Sequence, residues 1–353
     1  MIRTRDLTVV VAIGLLVTAC GGDDGALQAG EDYSVADALG ELPADLGADV
    51  YISTADLDAV CEANGCERPD GVDDEEGAQT WAREMAGATD DPGTLVYAPI
   101  PWALLARSSS FGEFQDQLGW SLVDVDSYIS FEMPPEAFTV VSGDATLSDD
   151  LIDLDDGIVT TSEANDLAPN PSEISPADEM GRPVRLAEDD SRIAMSVTTP
   201  PVEAWTGGPD EALASDEGLN AVATALDDAD VVSAVIQRGD PGGTVNGEGI
   251  EAVLAPFESV GIGWSADDDE ATATVVYQHA STDAADANAD AIQSMFDESA
   301  PTATGQPVSD LFTLEGASTD DSVLTVMLQF TDGAHPQNVL DMLQNQDVLF
   351  AHS

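Results

Sequence analysis

Apolar positions along this chain recur with two periods, one near 3.6 residues and one of 2, and the two alternate from start to end. The chain opens on an apolar core of 11 residues, Leu7 to Val17, behind Arg3 and Arg5. Val35, Leu39 and Leu42 then fall at near-helical spacing behind the capping residue Ser34 and stop at Pro43. Asp49 to Ser53 reads as a strand with Val50 and Ile52 on one face. Thr54 opens a helix through Leu57 and Val60 that Gly65 ends. Ala78, Trp81, Ala82 and Met85 form one helical stripe behind the acids Asp73 to Glu76, which suit a helix N-terminus. Thr94 to Ile100 reads as a strand, and Ser108 to Ser110 cap a helix over Phe111 to Leu118. Strands over Ser127 to Met133 and Ala137 to Ser142 flank Pro134-Pro135, a pair that ends strands.

The rhythm is clearer further on. Leu151, Leu154 and Ile158-Val159 give a short helix and strand, and 164–181, with Pro169, Pro171 and Pro176, reads as a loop or linker. Arg185-Leu186 and Ile193 to Val197 make a hairpin around Glu188 to Ser191. Pro201 to Trp205 starts a short helix, Leu219, Val222 and Leu226 mark a longer one, and Val231 to Ile236 is a buried strand. A helix is expected over Ile250 to Phe257, and a hairpin over Gly261 to Ala266 and Ala271 to Tyr277. Thr282 caps a helix with Ala285, Ala289, Ile292 and Phe296 on one stripe. Leu311 to Leu314 and Val323 to Phe330 form a last hairpin, and Val339, Leu340, Leu343 and Val348 a closing helix. Antiparallel hairpins alternating with single helices specify an α+β fold. The pattern is compatible with two similar lobes, 33–163 and 182–353, joined by 164–181.

The opening run changes what this body is for. An apolar core of that length falls short of the ~20 residues that span a bilayer, so Leu7 to Val17 reads as the core of a signal peptide over 1–19. Val17-Thr18-Ala19-Cys20 resembles the lipobox of bacterial lipoproteins. That resemblance implies a diacylated Cys20 at the start of the mature chain, a flexible tether over 20–32, and a body held at the outer face of the cytoplasmic membrane. An exported compartment is oxidising, so Cys61 and Cys66 are expected to close CEANGC as a disulfide. The segments GWSLVDVDSYISFEMPPEAFTVVSGD, LASDEGLNAVATALDDADVVSAVI and VVYQHASTDAADANADAIQSMF are similar to actinobacterial-type lipoproteins. No activity attaches to that family, so the likeness transfers no functional residue.

Charge narrows the partners. The chain of 353 residues carries a formal net charge of −60 and contains no lysine. Nothing on it could neutralise phosphates, which argues against nucleic acid. An acidic surface without lysine stems suits a brine-exposed cell face and gathers cations non-specifically. A specific divalent site is the alternative, but Asp153-Leu154-Asp155-Asp156-Gly157 departs from calcium-loop spacing.

Catalytic chemistry finds little footing. Lysine-dependent motifs are impossible, G-x-S-x-G is absent, and His279, His335 and His352 stand in no metal-binding spacing. The five tryptophans at 81, 102, 120, 205 and 264 read first as core. Arg182, Arg185 and Arg192 lie within eleven residues. They either pair locally with Glu188, Asp189 and Asp190 or form a pocket for a carboxylate ligand, to which planar guanidinium is suited. The reading that follows is a non-enzymatic lipoprotein with no cofactor or metal. Its partners are the membrane through the anchor, and an envelope protein or small-molecule ligand. A transporter's solute-capturing lipoprotein, with a cleft hinged near 164–181, is the alternative; an acid-catalysed hydrolase is a third.

Overall fold

The computed structural model describes residues 27–87, 94–105, 110–172, 174–178, 180–208, 211–239, 254–267 and 270–352. The expected signal peptide, Cys20 and most of the expected tether lie outside them. The strands among these residues are β1 (Val50–Asp56), β2 (Val125–Met133), β3 (Glu136–Gly143), β4 (Ile152–Asp153), β5 (Val159–Thr160), β6 (Arg185–Asp189), β7 (Arg192–Ser196), β8 (Ser233–Arg238), β9 (Ser259–Asp267), β10 (Glu270–Gln278), β11 (Phe312–Asp320) and β12 (Val323–Phe330). The helices are α1 (Val35–Ala38), α2 (Leu57–Asn64), α3 (Glu75–Met85), α4 (Trp102–Leu105), α5 (Phe111–Leu118), α6 (Thr199–Thr206), α7 (Glu217–Asp227), α8 (Thr282–Asp297) and α9 (Asn338–Gln344). Helices and antiparallel sheet make the fold α+β. None of these helices is long and apolar enough to cross a membrane.

All the strands join one sheet in the order β11-β12-β10-β9-β8-β1-β2-β3-β7-β6-β5-β4. Outward from the central β1/β8 pair each side runs through a single strand, a hairpin and a second hairpin entered in reverse, and β5 and β4 extend the β6 edge only. Chain from before and after 164–181 interleaves in it, since β1 pairs with β8 and β3 with β7. The 164–181 segment connects β5 to β6, which are themselves neighbours.

Period-2 alternation sends side chains to two covered faces. On one, Val50, Ile52, Ile129, Phe131, Val140 and Ile236 pack with Val35 of α1, Trp205 of α6 and Leu226 of α7. On the other, Ala55, Tyr128, Val235, Trp264 and Tyr277 pack with Trp81 of α3, Phe114 of α5, Ile292 of α8 and Leu343 of α9. Gly261 and Gly263 let α7 lie close on β9. A Cβ at Gly263 would stand 2.5 Å from Val231 Cγ1 and 2.9 Å from Leu226 Cδ2.

Three expected elements are corrected. Thr54 does not open a helix: it continues β1, paired with Ile129 and Ala234, and Asp56 caps α2 by accepting from the Ala59 N–H at 3.0 Å. Thr94 to Ile100 is not a strand of the sheet. Its amides turn instead to Asn64 Oδ1, which accepts from Leu95 and Val96 at 2.9 Å each, and to the Met85 carbonyl. The helix expected over 250–257 is absent from its described part. From Leu254 the backbone is extended, with Asn288 gripping both the N–H and the carbonyl of Ala255.

Candidate functional site

The three clustered arginines do not converge. Arg182 binds Asp178, Nη2 to Oδ2 at 2.8 Å. Burial of Asp178 works to raise its carboxyl, but hydrogen bonds and charge from Arg182 prevail and hold it below the usual range. Arg185, buried, reaches Asp166 at 3.0 Å, the Thr160 hydroxyl, and the carbonyls of Ser162 and Ala164. Arg192 joins Glu41 at 2.7 Å and Asp189 at 2.6 Å while lying over the Trp205 ring. Of the three hairpin acids, Asp189 is the one these arginines engage, while Glu188 accepts from the Leu147 N–H at 3.4 Å. Glu41 is itself buried and also accepts from Trp205 Nε1 at 2.7 Å and from the Leu27 N–H at 3.1 Å. The three guanidiniums are thus spent on separate carboxylates, Asp178, Asp166, and Glu41 with Asp189, and share none.

Other sequence candidates take structural places. Cys61 and Cys66 form a disulfide with S–S 1.97 Å at the end of α2; Cys20 lies outside the described residues. His279 is buried against Asn288, Nε2 to Nδ2 at 2.7 Å, and burial lowers its pKa. No group of three or more His, Cys, Asp or Glu side chains among the described residues could hold a metal ion. Four of the five tryptophans are buried, but Trp102 is 67% exposed.

Trp102 marks a site the sequence reading passed over. On the face beneath the 94–105 segment and α9, a patch of hydroxyls interrupts the apolar surface of β1, β2 and β3. Ser53 of β1 pairs with Ser130 of β2, which pairs with Thr139 of β3. The Ser130 and Thr139 hydroxyls bond at 2.8 Å. Tyr128 stands one position along, opposite Ala55. Tyr51 and Glu132 follow beyond the Ile52/Phe131 pair, near enough for the Glu132 charge to act on the phenol. The backbone N–H of Trp102 donates to the Glu132 carboxyl, and Tyr51 bonds with Gln344 of α9. Tyr97 completes the group, its ring edge-on to Trp264 at 5.4 Å and its carbonyl accepting from the Ser233 hydroxyl.

Three polar atoms in this neighbourhood have no hydrogen-bond partner: Ser53 Oγ, Tyr128 OH and, beside Tyr97, His335 Nε2. Ser53 and Tyr128 are 1% and 0% exposed. Each such buried group costs on the order of 1–3 kcal/mol if left unpaired. Burial pushes the Tyr97 phenol up to about 12 and the Tyr51 and Tyr128 phenols higher still. They are therefore neutral donors and acceptors at any physiological pH. Burial also raises Glu132, against the opposing Trp102 hydrogen bond, and raises Asp341, against the opposing charge of His335. Such a set can orient a polar molecule. It offers no activated nucleophile.

The sequence signal for this floor is the alternation Tyr128-Ile129-Ser130-Phe131-Glu132, which reads equally well as a half-exposed strand.

No family model matches the chain, and no curated protein matches it. A solved structure titled "Structure of crystal form I of TP0453" is similar at TM-score 0.37 and 10% identity, over 87% of this chain and 98% of that one. A likeness at that level carries no argument about function.

Proposed function

We propose that this chain is an extracytoplasmic lipoprotein, tethered through an acylated Cys20, that holds a small polar molecule over the hydroxyl floor without transforming it. The observation that carries the binding reading is the pair of fully buried, unpartnered groups, Ser53 Oγ and Tyr128 OH, beneath a rim of phenols and one carboxyl. The placement rests on the signal-like run and the four residues ending at Cys20. The transporter-linked reading gains no support from Arg185, whose donors are taken up by Asp166, Thr160 and two carbonyls.

Protein purified without denaturation should melt above the same chain unfolded, dialysed and refolded. A ligand at ~100 times its Kd adds about 2.7 kcal/mol. Tyr128→Phe should erase that gap, while the refolded variant melts above refolded wild type because a buried hydroxyl without a partner is gone. Identical melting of the two wild-type preparations would overturn the binding reading.

A further inference from the structure

We infer that His279 is a proton-operated latch: taking up a proton releases the extended segment 254–258, and with it the chain end at 350–352, from the body of the fold. The latch is separate from the hydroxyl floor and needs no ligand.

The contacts fix where the proton of the ring can be. His279 follows β10, and it and Asn288 of α8 are 0% and 1% exposed. Backbone orients the Asn288 amide: Oδ1 accepts from the Ala255 N–H at 2.7 Å, and Nδ2 donates to the Ala255 carbonyl at 3.0 Å. A flipped amide would set oxygen against oxygen and N–H against N–H, so no other orientation serves. The same Nδ2 lies 2.7 Å from His279 Nε2. Its second hydrogen therefore donates to Nε2, which is the bare nitrogen of a neutral ring. An imidazolium carries hydrogen on both nitrogens and would meet that donor with a donor. To bond with it, the amide must turn over and let go of Ala255 on both sides. A proton on Nε2 and the grip on Ala255 exclude each other.

The grip holds two pieces of chain. The Leu254 N–H reaches the Ala351 carbonyl at 3.4 Å, and Leu254 and His352 pair as a parallel bridge. Phe257 lies against the His352 ring at 4.5 Å and edge-on to Tyr277 at 5.3 Å. Segment and chain end hold each other, and Asn288 fastens the segment to α8.

The ionisable groups on the elements packed against His279 are the Tyr277 phenol, which burial keeps neutral, Glu258 beside Phe257, Asp320 and Asp321 at the β11–β12 turn, and His352. One turn either way from Asn288, α8 places Ala284, Ala285, Ala291 and Ile292. No carboxylate among the described residues relieves the ring: burial disfavours its cation, and the backbone of Ser322 and Tyr277 works the other way without prevailing. A ring freed into water takes up its proton near pH ~6.5. Below that, each pH unit favours the released state by ~10-fold, until the buried ring is protonated too.

The test is hydrogen exchange of the full-length protein between pH ~7 and ~5, read by mass spectrometry on peptides covering 254–258, with β2 and β3 as internal controls. Intrinsic exchange slows in proportion to hydroxide, while release speeds it ~10-fold for each unit below pH ~6.5. The 254–258 rate should therefore stay nearly level as the control rates fall. His279→Gln keeps an acceptor for Asn288 Nδ2 but takes up no proton, and its 254–258 rate should fall with the controls. If circular dichroism shows that this variant does not fold, NMR of wild type decides. The Asn288 side-chain amide signals should then shift with the midpoint of the His279 ring and not with that of His352. A wild-type 254–258 rate that falls in step with the controls would overturn the inference. So would a level rate that survives in His279→Gln, or Asn288 signals that ignore the His279 titration.

Discussion

Raising NaCl from ~0.1 M to ~1 M increases the thermal midpoint of this protein by roughly 5–10 °C. From Cys20 onward the chain carries 7 arginines against 68 acids, a net charge of −61. A folded body confines those charges more closely than an unfolded chain does, so their mutual repulsion opposes folding. Salt shortens the screening length from ~10 Å to ~3 Å over this range, removing most repulsion between exposed carboxylates. The ion pairs that salt also weakens are few and partly buried: Glu41 and Asp178 have side chains only 4% and 2% exposed. Repulsion therefore wins, and each kcal/mol recovered moves the midpoint by ~2–4 °C. Scanning calorimetry across the salt series checks the sign. A flat or falling midpoint would mean that the acids are compensated locally.

The second large effect is local. Arg192→Met should destabilise the fold by about 3 kcal/mol, because it leaves Glu41 buried without its cation. Trp205 Nε1 and the Leu27 N–H would remain as hydrogen bonds but bring no charge. The cation–π contact over Trp205 goes as well. The double variant Glu41→Gln/Arg192→Met should recover most of the loss, since the uncompensated charge is removed with its partner. Thermal midpoints of the two single variants and the double one measure this. The deficit should persist at ~1 M NaCl, where surface effects are screened but a pair this buried is not. A single-variant loss below ~1 kcal/mol would show that water reaches Glu41.

These two cases show what the sequence carries and what it does not. The strands and helices were legible where one apolar stripe fixed the period, as in Leu219, Val222 and Leu226 of α7, all buried. The hairpin of β9 and β10, and that of β11 and β12, were legible for the same reason. Boundaries went wrong where tertiary pairing overrode local signals. Thr54 looks like a helix cap but is held in β1 by strands on both sides, and Asn64 ties Leu95 and Val96 away from any sheet. Long-range partners were not legible at all. Glu41 and Arg192 are 151 residues apart, and nothing in the hairpin around Asp189 points to Glu41. The floor of Tyr51, Ser53, Tyr128, Ser130 and Glu132 was hidden for a different reason. A polar strand face is ordinarily the wet one, and only the 94–105 segment and α9 lying over it turn it into an interior.

One measurement reads placement and binding together: a native mass spectrum of the full-length gene product, extracted from membranes in mild detergent. The account predicts a chain beginning at Cys20 with a covalently attached diacylglyceryl group, plus a releasable small-molecule adduct that is lost in Tyr128→Phe. A chain beginning at Met1, or one beginning at Cys20 without lipid and without adduct, would contradict it.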